Sequence, residues 1–92
     1  MGECEVKARK GLIRVRATVR NGRISDISIT GDFLVSPEDA VFEAEERLQG
    51  VEASVEAVRS AIRESLATAE IVGATVDDFI DAVTCAIRGD VA

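Results

Sequence analysis

The first third of the chain alternates apolar and polar residues with a period of two. Between Leu12 and Arg20, every second residue is apolar and most of the residues between them are arginines. The apolar positions are Ile13, Val15, Ala17 and Val19. Because successive side chains of a strand point to opposite faces, this pattern predicts a half-buried strand with a solvated basic face.

Asn21-Gly22 follows this strand and is the strongest short-range signal for a hairpin, since both residue types tolerate positive φ. A return strand is predicted from Arg23 to Thr30, and a further strand over Cys4–Ala8. The three strands together predict a three-stranded antiparallel meander.

The return strand contains a break in its alternation. Ile24 is out of phase with Ile27 and Ile29 by one residue. Either a β-bulge falls near Ser25-Asp26, or the turn has three residues and Ile24 faces outward. The pattern alone leaves both explanations open.

The rest of the chain has the apolar spacing and capping residues of helices. Ser36 before Pro37 predicts an N-cap followed by a proline at the first helical position. This helix is expected to run to about Leu48 and to end at Gly50, a C′ glycine. Ser54 predicts the N-cap of a second helix.

A third helix is predicted after Thr75, with Asp78 completing a near-capping box and Gly89 as its stop. Strands over about residues 4–30 are thus followed by helices over about residues 37–89. This order predicts an α+β fold in which a three-stranded antiparallel sheet packs against three helices as a two-layer sandwich. A single domain is expected to span residues 1–92.

The charge of the chain limits the kinds of partner. It has 11 basic and 17 acidic residues and a net charge of −6, which disfavours a nucleic-acid partner. All charged residues between Lys7 and Arg23 are basic, whereas the segment from Glu38 onward is acidic. A basic sheet with acidic helices predicts a dipolar molecule suited to steering one partner or an anionic ligand.

The two cysteines, Cys4 and Cys85, are far apart and belong to no motif. We therefore expect no disulfide and two isolated thiols, as is usual in a reducing cytosol. Cys85 lies beside the apolar stripe of the third helix and is expected to be a small buried hydrophobic residue rather than a reactive thiol. With no signal-peptide pattern and only short apolar runs, a cytoplasmic location and no membrane partner are expected.

The chain lacks the residue patterns that most enzymes use. It has no histidine, no GxxxxGK[ST] phosphate loop and no GxGxxG fingerprint. Two cysteines cannot close a zinc or iron–sulfur site within one chain. We therefore assign no catalytic residue, no metal and no cofactor to this chain, and interpret the helical carboxylates as solvated faces rather than as a cation site.

Two groups of residues are candidates for contact with a partner. Gly31-Asp32-Phe33 ends the third strand: the glycine permits a tight exit, the aspartate accepts backbone N–H groups and the phenylalanine anchors the strand–helix junction. The second group lies on the basic strand face, where edge protection and contact with a partner or phosphate are both open. It comprises Arg14, Arg16 and Arg20.

Residues 21–50 read NGRISDISITGDFLVSPEDAVFEAEERLQG, and this run resembles the C-terminal accessory domain of lipoate–protein ligases. The shared features, in order, are a hairpin glycine, an I-x-D-I-x-I-x-GDF strand, a proline-started helix and an E-x-x-L-x-G ending. The strand that begins Gly11-Leu12-Ile13 also fits. The resemblance covers the first half of the chain well, and the second half matches in helical character and length.

This resemblance implies that the chain is the small subunit of a split ligase and forms a heterodimer with a catalytic subunit. It assigns the lipoate pocket, ATP with Mg and the lysine that engages the acyl-adenylate to that partner. The small subunit is implied to be required for adenylation of lipoate but not for transfer from preformed lipoyl-adenylate. The chain alone is therefore expected not to be catalytic.

A different class of protein has a similar order of strands and helices. Iron–sulfur assembly scaffolds and sulfur acceptors share it, but they need several cysteines in loops, a pattern that Cys4 and Cys85 do not match. An interaction module of unrelated function is a further alternative. Iron or zinc in the purified protein would favour the scaffold.

Overall fold

A computed structural model describes residues 1–91, which form five strands and three helices. In chain order they are β1 (Gly2–Ala8), β2 (Gly11–Arg20), β3 (Arg23–Gly31), β4 (Leu34–Ser36), α1 (Ala40–Leu48), α2 (Val55–Leu66), β5 (Glu70–Val72) and α3 (Val76–Val91). No helix within these residues has the length and apolar character needed to cross a bilayer.

The main sheet is antiparallel with the strand order β1-β2-β3. α3 packs on β1 and β2, α1 packs on β3, and α2 contacts both of these helices. The helices therefore cover one face of the sheet and leave the other face open. This arrangement confirms the predicted α+β fold with a three-stranded sheet and three helices.

The core lies between the sheet and the helices. Ile13, Val15 and Ala17 of β2 are buried and alternate with exposed residues, as the period of two predicts. They meet Phe79 and Val83 of α3 in one apolar cluster. Burial of this apolar surface is the main force that holds the two layers together.

The β2–β3 hairpin turns at Asn21 and Gly22, which have φ values of 54° and 75°. Thr18 pairs with Asp26 and Val19 pairs with Ile24, so one residue of β3, Ser25, is left over. This is the β-bulge alternative, and it returns Ile24 to the core with 0% exposure.

The outer edge of β3 is covered by the segment that follows it. The Ile29 N–H donates to the Glu45 carboxylate of α1 at 2.6 Å, and the Ile24 N–H donates to the Val51 carbonyl at 2.9 Å. Gly50, with φ of 84°, makes the turn after α1 that allows the second contact. An inward-pointing carboxylate and a covering loop are recognised ways to prevent edge-to-edge pairing.

The start of α1 differs from the prediction at Ser36-Pro37. Ser36 is the last residue of β4 and pairs with Glu70 of β5, so its backbone is extended and it does not cap a helix. The Ser36–Pro37 peptide is cis, and α1 begins at Ala40 with Asp39 as its N-cap. The prediction was wrong because the pairing partner of Ser36 lies far along the chain.

The predicted caps of α2 and α3 are confirmed. Ser54 Oγ accepts the Ala57 N–H at 3.2 Å. Thr75 Oγ1 accepts the Asp78 N–H at 3.1 Å, and the Asp78 carboxylate accepts the Thr75 N–H at 2.9 Å. This reciprocal pair is a capping box with aspartate in place of the usual glutamate.

The predicted stop at Gly89 is wrong, because α3 continues to Val91. Contacts from outside the helix hold its last turn. Asp90 accepts the Val19 N–H at 2.6 Å, and its other carboxylate oxygen lies 2.6 Å from the amino group of Met1. A residue distant in sequence thus overrides a local glycine signal.

Cys4 and Cys85 form a disulfide, with their Cα atoms 5.9 Å apart. The expectation of two isolated thiols was wrong, because β1 lies beneath α3 and brings together residues 81 positions apart. Cys85 is also exposed rather than buried. Gly2 shows how closely β1 and α3 approach, since a Cβ there would overlap the Ala86 carbonyl oxygen.

Candidate partner interface

The predicted Gly31-Asp32-Phe33 segment lies at the end of the sheet opposite the hairpin turn. The Asp32 N–H donates to the Leu12 carbonyl at 2.9 Å, which holds the chain against β2 as it leaves β3. A side chain at residue 31 would overlap that same carbonyl oxygen, and Gly31 has a φ of 155°. Glycine is therefore required at the exit from the sheet.

Phe33 anchors this exit in the core, as predicted. Its ring meets the ring of Phe79 edge to face, with centroids 4.9 Å apart and an interplanar angle of 78°. Phe79 is 1% exposed, so the contact ties the loop to the buried side of the first turn of α3. This geometry is favourable for an aromatic pair and limits movement of the segment that follows.

The next residues form a small second sheet that the sequence patterns did not predict. β4 pairs with β5 in antiparallel register, and Leu34 lies opposite Val72. Both side chains point into solvent, with exposures of 72% for Leu34 and 54% for Val72. Strands of three residues are too short to show an alternation that distinguishes them from loops.

Phe42 is a third large apolar side chain in this region, on the surface of α1, and it is 66% exposed. The buried positions of α1 are Ala40, Ala44 and Leu48, four residues apart. Phe42 lies off this stripe, and a large apolar residue off the buried stripe of a helix is a sequence signal for an exposed apolar site. Leu34, Phe42 and Val72 are referred to below as the apolar patch.

Two grooves join the members of the apolar patch. One, of about 410 Å³, is lined by Leu34 and Val72 together with Lys10 and the Gly31-Asp32-Phe33 segment. The other, of about 370 Å³, is lined by Leu34 and Phe42 with Phe33, Val41 and Glu38 among others. Because Leu34 borders both grooves, the three side chains form one continuous surface.

The second predicted group lies elsewhere, on the open face of the sheet. Arg14 pairs with Glu5 of β1 at 2.5 Å, and Arg16 pairs with Glu3 at 3.0 Å. The cross-strand register places these residues directly opposite one another. The face is therefore not uniformly basic, because β1 supplies acidic partners that a reading of residues 7–23 alone does not include.

Arg20 is separate from the other two arginines. It is exposed at the last position of β2 and lies opposite Arg23 across the hairpin. The Arg23 guanidinium turns away and donates to the Gly50 carbonyl at 2.8 Å. Arg14, Arg16 and Arg20 thus do not converge on one site, and their predicted contact with a partner remains a prediction.

The described residues bring together few side chains that could catalyse a reaction or bind a metal ion. Within residues 1–91, no three carboxylates or cysteines are grouped as a metal ion would require. Every buried side-chain nitrogen or oxygen in the described part of the chain has a hydrogen-bond partner. The most distinctive surface is the apolar patch, whose chemistry suits contact with another macromolecule.

Comparison with known proteins shows which family has this fold. Residues 3–83 match a family described as the C-terminus of bacterial lipoate protein ligases. Lipoate-protein ligase A subunit 2 of Thermoplasma acidophilum is 41% identical over 78 residues, which cover 84% of this chain and 81% of that protein.

A solved structure is similar as well. It comes from a study of a bi-partite lipoate protein ligase and its E2 lipoyl domain from Thermoplasma acidophilum. The superposition has a TM-score of 0.80 at 36% identity and covers 88% of this chain and 91% of the other. The likeness therefore extends over both the sheet and the helices.

Proposed function

Since this chain belongs to the family of lipoate–protein ligase C-terminal domains, we propose that it is the non-catalytic accessory subunit of a two-part lipoate–protein ligase. It acts with a separate catalytic subunit in the ATP-dependent adenylation of lipoate that precedes protein lipoylation. The two chains form a heterodimer.

The extent of the match to the Thermoplasma acidophilum subunit supports this proposal most directly. The aligned region covers 84% of this chain and 81% of that protein, so most of each takes part in the match. The relative is named as a ligase subunit, and the similar structure belongs to a bi-partite ligase. The simplest role for this chain is therefore that of an accessory subunit beside a separate catalytic subunit.

The proposal assigns the substrates to the catalytic subunit. Lipoate, ATP and Mg are expected to bind there, and this chain contributes no reacting group. In adenylation, a lipoate carboxylate oxygen attacks the α-phosphorus of ATP and pyrophosphate leaves. Such a reaction depends on alignment of the carboxylate with the α-phosphate, which a second subunit supports by ordering loops around the site.

A rigid cover also has a chemical advantage. Acyl-adenylates hydrolyse readily, so exclusion of water protects the intermediate. The disulfide between Cys4 and Cys85 and the aromatic pair of Phe33 and Phe79 make this domain a firm platform for such a cover. Transfer from preformed lipoyl-adenylate does not need the alignment step and is expected to proceed without this chain.

A cytoplasmic location is part of the proposal, because the reaction consumes ATP. The disulfide does not exclude this location, because some intracellular proteins, those of hyperthermophilic archaea and bacteria among them, contain disulfides. The iron–sulfur scaffold alternative is not favoured. Both cysteines are joined in that disulfide, so neither is free to bind iron.

The test is the formation of lipoyl-adenylate by the matching catalytic subunit, measured as pyrophosphate release, with and without this chain. We expect adenylation only when both proteins are present. The control is an unrelated acidic protein of similar size, which should not support the reaction. Equal activity of the catalytic subunit alone would contradict the proposal.

The second half of the test uses preformed lipoyl-adenylate and an acceptor lipoyl domain. We expect the catalytic subunit to transfer the lipoyl group at the same rate with and without this chain. A requirement for this chain in transfer would place its role after adenylation instead of before it.

A further inference from the structure

Three of the five large apolar side chains that are exposed in the described residues lie together at one end of the molecule. Leu34, Phe42 and Val72 are 72%, 66% and 54% exposed, and grooves connect them into the continuous apolar patch. A small protein gains stability by burying such residues, so exposed clusters of this size usually mark a site of interaction.

The backbone holds the patch in place before any partner binds. Leu34 and Val72 are opposite each other in the β4–β5 ladder. The Lys10 N–H donates to the Gly73 carbonyl at 3.1 Å, which joins the end of β5 to the β1–β2 turn. Beneath the patch, Phe33 packs on Phe79. A preformed surface loses little conformational entropy on binding, which favours affinity.

Charged residues of opposite sign flank the patch on two sides. Lys10 and the exposed Asp32 line the groove beside Val72, and Arg9 precedes Lys10 in the exposed β1–β2 turn, so this side carries a net positive charge. Glu38 lines the groove beside Phe42, and the exposed Asp39 follows it before α1. An apolar centre with a polar rim is the usual composition of a protein–protein interface, and an asymmetric rim sets the orientation of the partner.

The area of the patch fits a heterodimer. If a fully exposed large side chain presents roughly 200 Å², the three exposures correspond to roughly 400 Å² of apolar surface. A stable interface buries about 800 Å² on each partner, of which slightly more than half is apolar. The patch alone therefore accounts for most of the apolar part of an interface of that size.

We propose that the apolar patch is the surface on which this chain docks with the catalytic subunit of its ligase. The inference rests on the proposed function. The matched family describes this domain as the C-terminal part of a ligase, so the rest of a ligase is the partner with which such a domain belongs. The partner surface should be apolar at its centre, acidic opposite Lys10 and basic opposite Glu38.

The open face of the sheet is a poorer docking surface. Its arginines already have carboxylate partners, Glu5 for Arg14 and Glu3 for Arg16. A protein that docked there would have to break these pairs or desolvate them, and it would meet little apolar surface in return.

The experiment measures the dissociation constant of the two-subunit complex by isothermal titration calorimetry. The variants are Leu34→Ser, Phe42→Ser and Val72→Ser, singly and combined. Each single change is expected to weaken binding about tenfold, and the triple change at least a hundredfold, because central apolar side chains dominate interface energies.

The matched control is the double variant Glu56→Ser and Arg59→Ser. Both residues are exposed on the first turns of α2, next to the segment in which Ala53 contacts Gly22 of the hairpin, at the end of the molecule away from the patch. Its net charge equals that of the wild type, and we expect its dissociation constant to change less than twofold. Circular dichroism and thermal melts verify that each variant is folded.

Phe42→Ser keeps the test decisive if changes in β4 or β5 disturb folding, since Phe42 lies on a helix surface and makes no strand pairing. Unchanged binding by Phe42→Ser and by the folded triple variant would overturn the docking inference. Failure of the wild-type chain to bind the catalytic subunit would instead overturn the proposed function.

A second copy of this chain is the competing occupant. Sedimentation of the wild type and the triple variant at several concentrations distinguishes it. If the wild type is a dimer, the triple variant is a monomer, and both bind the catalytic subunit equally, the patch is a self-association surface and the inference is wrong.

Discussion

The open face of the main sheet and the apolar patch are both exposed to solvent, but they differ in whether their side chains have interaction partners within the chain. On the open face, Arg14 and Arg16 each have a carboxylate partner within the chain. In the patch, Leu34 and Phe42 have large apolar surfaces in water and nothing to cover them within the described residues. Water solvates exposed charge well, whereas burial of a contiguous apolar patch against a partner lowers the free energy.

This difference shows what a sequence can and cannot indicate about a surface. A run of arginines is conspicuous in a sequence, but antiparallel pairing with β1 supplies counter-charges for two of them. An apolar residue is ordinary in a sequence and becomes informative only when the fold leaves it outside. The arginines are thus a weaker candidate for a docking surface than the exposed apolar residues, although the arginines are easier to notice in the sequence.

The largest expected effect comes from removal of the disulfide, which also tests whether the open face and the apolar patch are independent. Cys4→Ser with Cys85→Ser removes the disulfide that fastens β1, the strand carrying Glu3 and Glu5, to α3. With a sequence separation of 81 residues, we expect the free energy of unfolding to fall by about 4 kcal/mol in denaturant titrations. The loss reflects the greater conformational freedom of the unfolded chain.

At temperatures where this double variant remains folded, its affinity for the catalytic subunit should equal that of the wild type. A lower affinity in the folded state would mean that the position of β1 affects the patch and that the two regions are coupled.

The next effect concerns activity. The triple variant Leu34→Ser, Phe42→Ser and Val72→Ser should reduce the rate of adenylation at least about fortyfold at subunit concentrations near the wild-type dissociation constant, because the fraction of assembled complex falls by that factor when binding is a hundredfold weaker. Transfer from preformed lipoyl-adenylate should be unchanged. Restoration of the adenylation rate at high concentrations of the variant would show that the patch contributes binding and not chemistry.

A third prediction concerns acid stability at the hairpin end of the sheet. Hydrogen bonds from the Met1 amino group and the Val19 N–H hold the pKa of Asp90 below its ordinary value of 3.8. A carboxyl whose pKa is lower in the folded state stabilises the fold above its unfolded pKa, and this contribution is lost as the pH falls through the folded pKa.

Asp90→Asn should therefore lower the free energy of unfolding at neutral pH and make stability depend less on pH below 3.8. Denaturant titrations of wild type and variant across this range provide the measurement. Identical pH profiles would show that Asp90 does not fasten α3 to β2 in solution. Binding to the catalytic subunit should not change, because Asp90 is distant from the patch.

The smallest expected effect is on the open face. Arg14→Ala with Arg16→Ala removes two exposed ion pairs, each of which contributes about 0.2–1 kcal/mol to stability. We expect less than a twofold change in the association rate constant for the catalytic subunit. A large decrease that disappears at high salt would restore the hypothesis that this face steers the partner.

The features that the sequence predicted correctly are those with local causes. Asn21-Gly22 forms its turn, Ser54 caps α2 and Thr75 pairs with Asp78, each through contacts within a few residues. The alternation in β2 also survives, because a strand with one buried face imposes it. The structural roles of Gly31 and Phe33 at the exit from β3 were predicted for the same reason, whereas contact of the Gly31-Asp32-Phe33 segment with a partner stays a prediction.

The features that the sequence did not predict depend on residues far apart in the chain. Ser36 is extended because Glu70 pairs with it, and α3 passes Gly89 because Asp90 reaches Val19. The short strands carry no periodicity of their own. Leu34, Phe42 and Val72 become a single surface only after β4, α1 and β5 have packed together.

The amino-acid sequence by itself determined the α+β class, the hairpin, the caps of two helices and the family resemblance, because these depend on local periodicity and on motifs read in order. Only the tertiary structure decided which cysteines join, which arginines are paired and which apolar residues stay outside. Those outcomes depend on distances between segments, and such distances are set by the packing of the whole chain and not by any window of it.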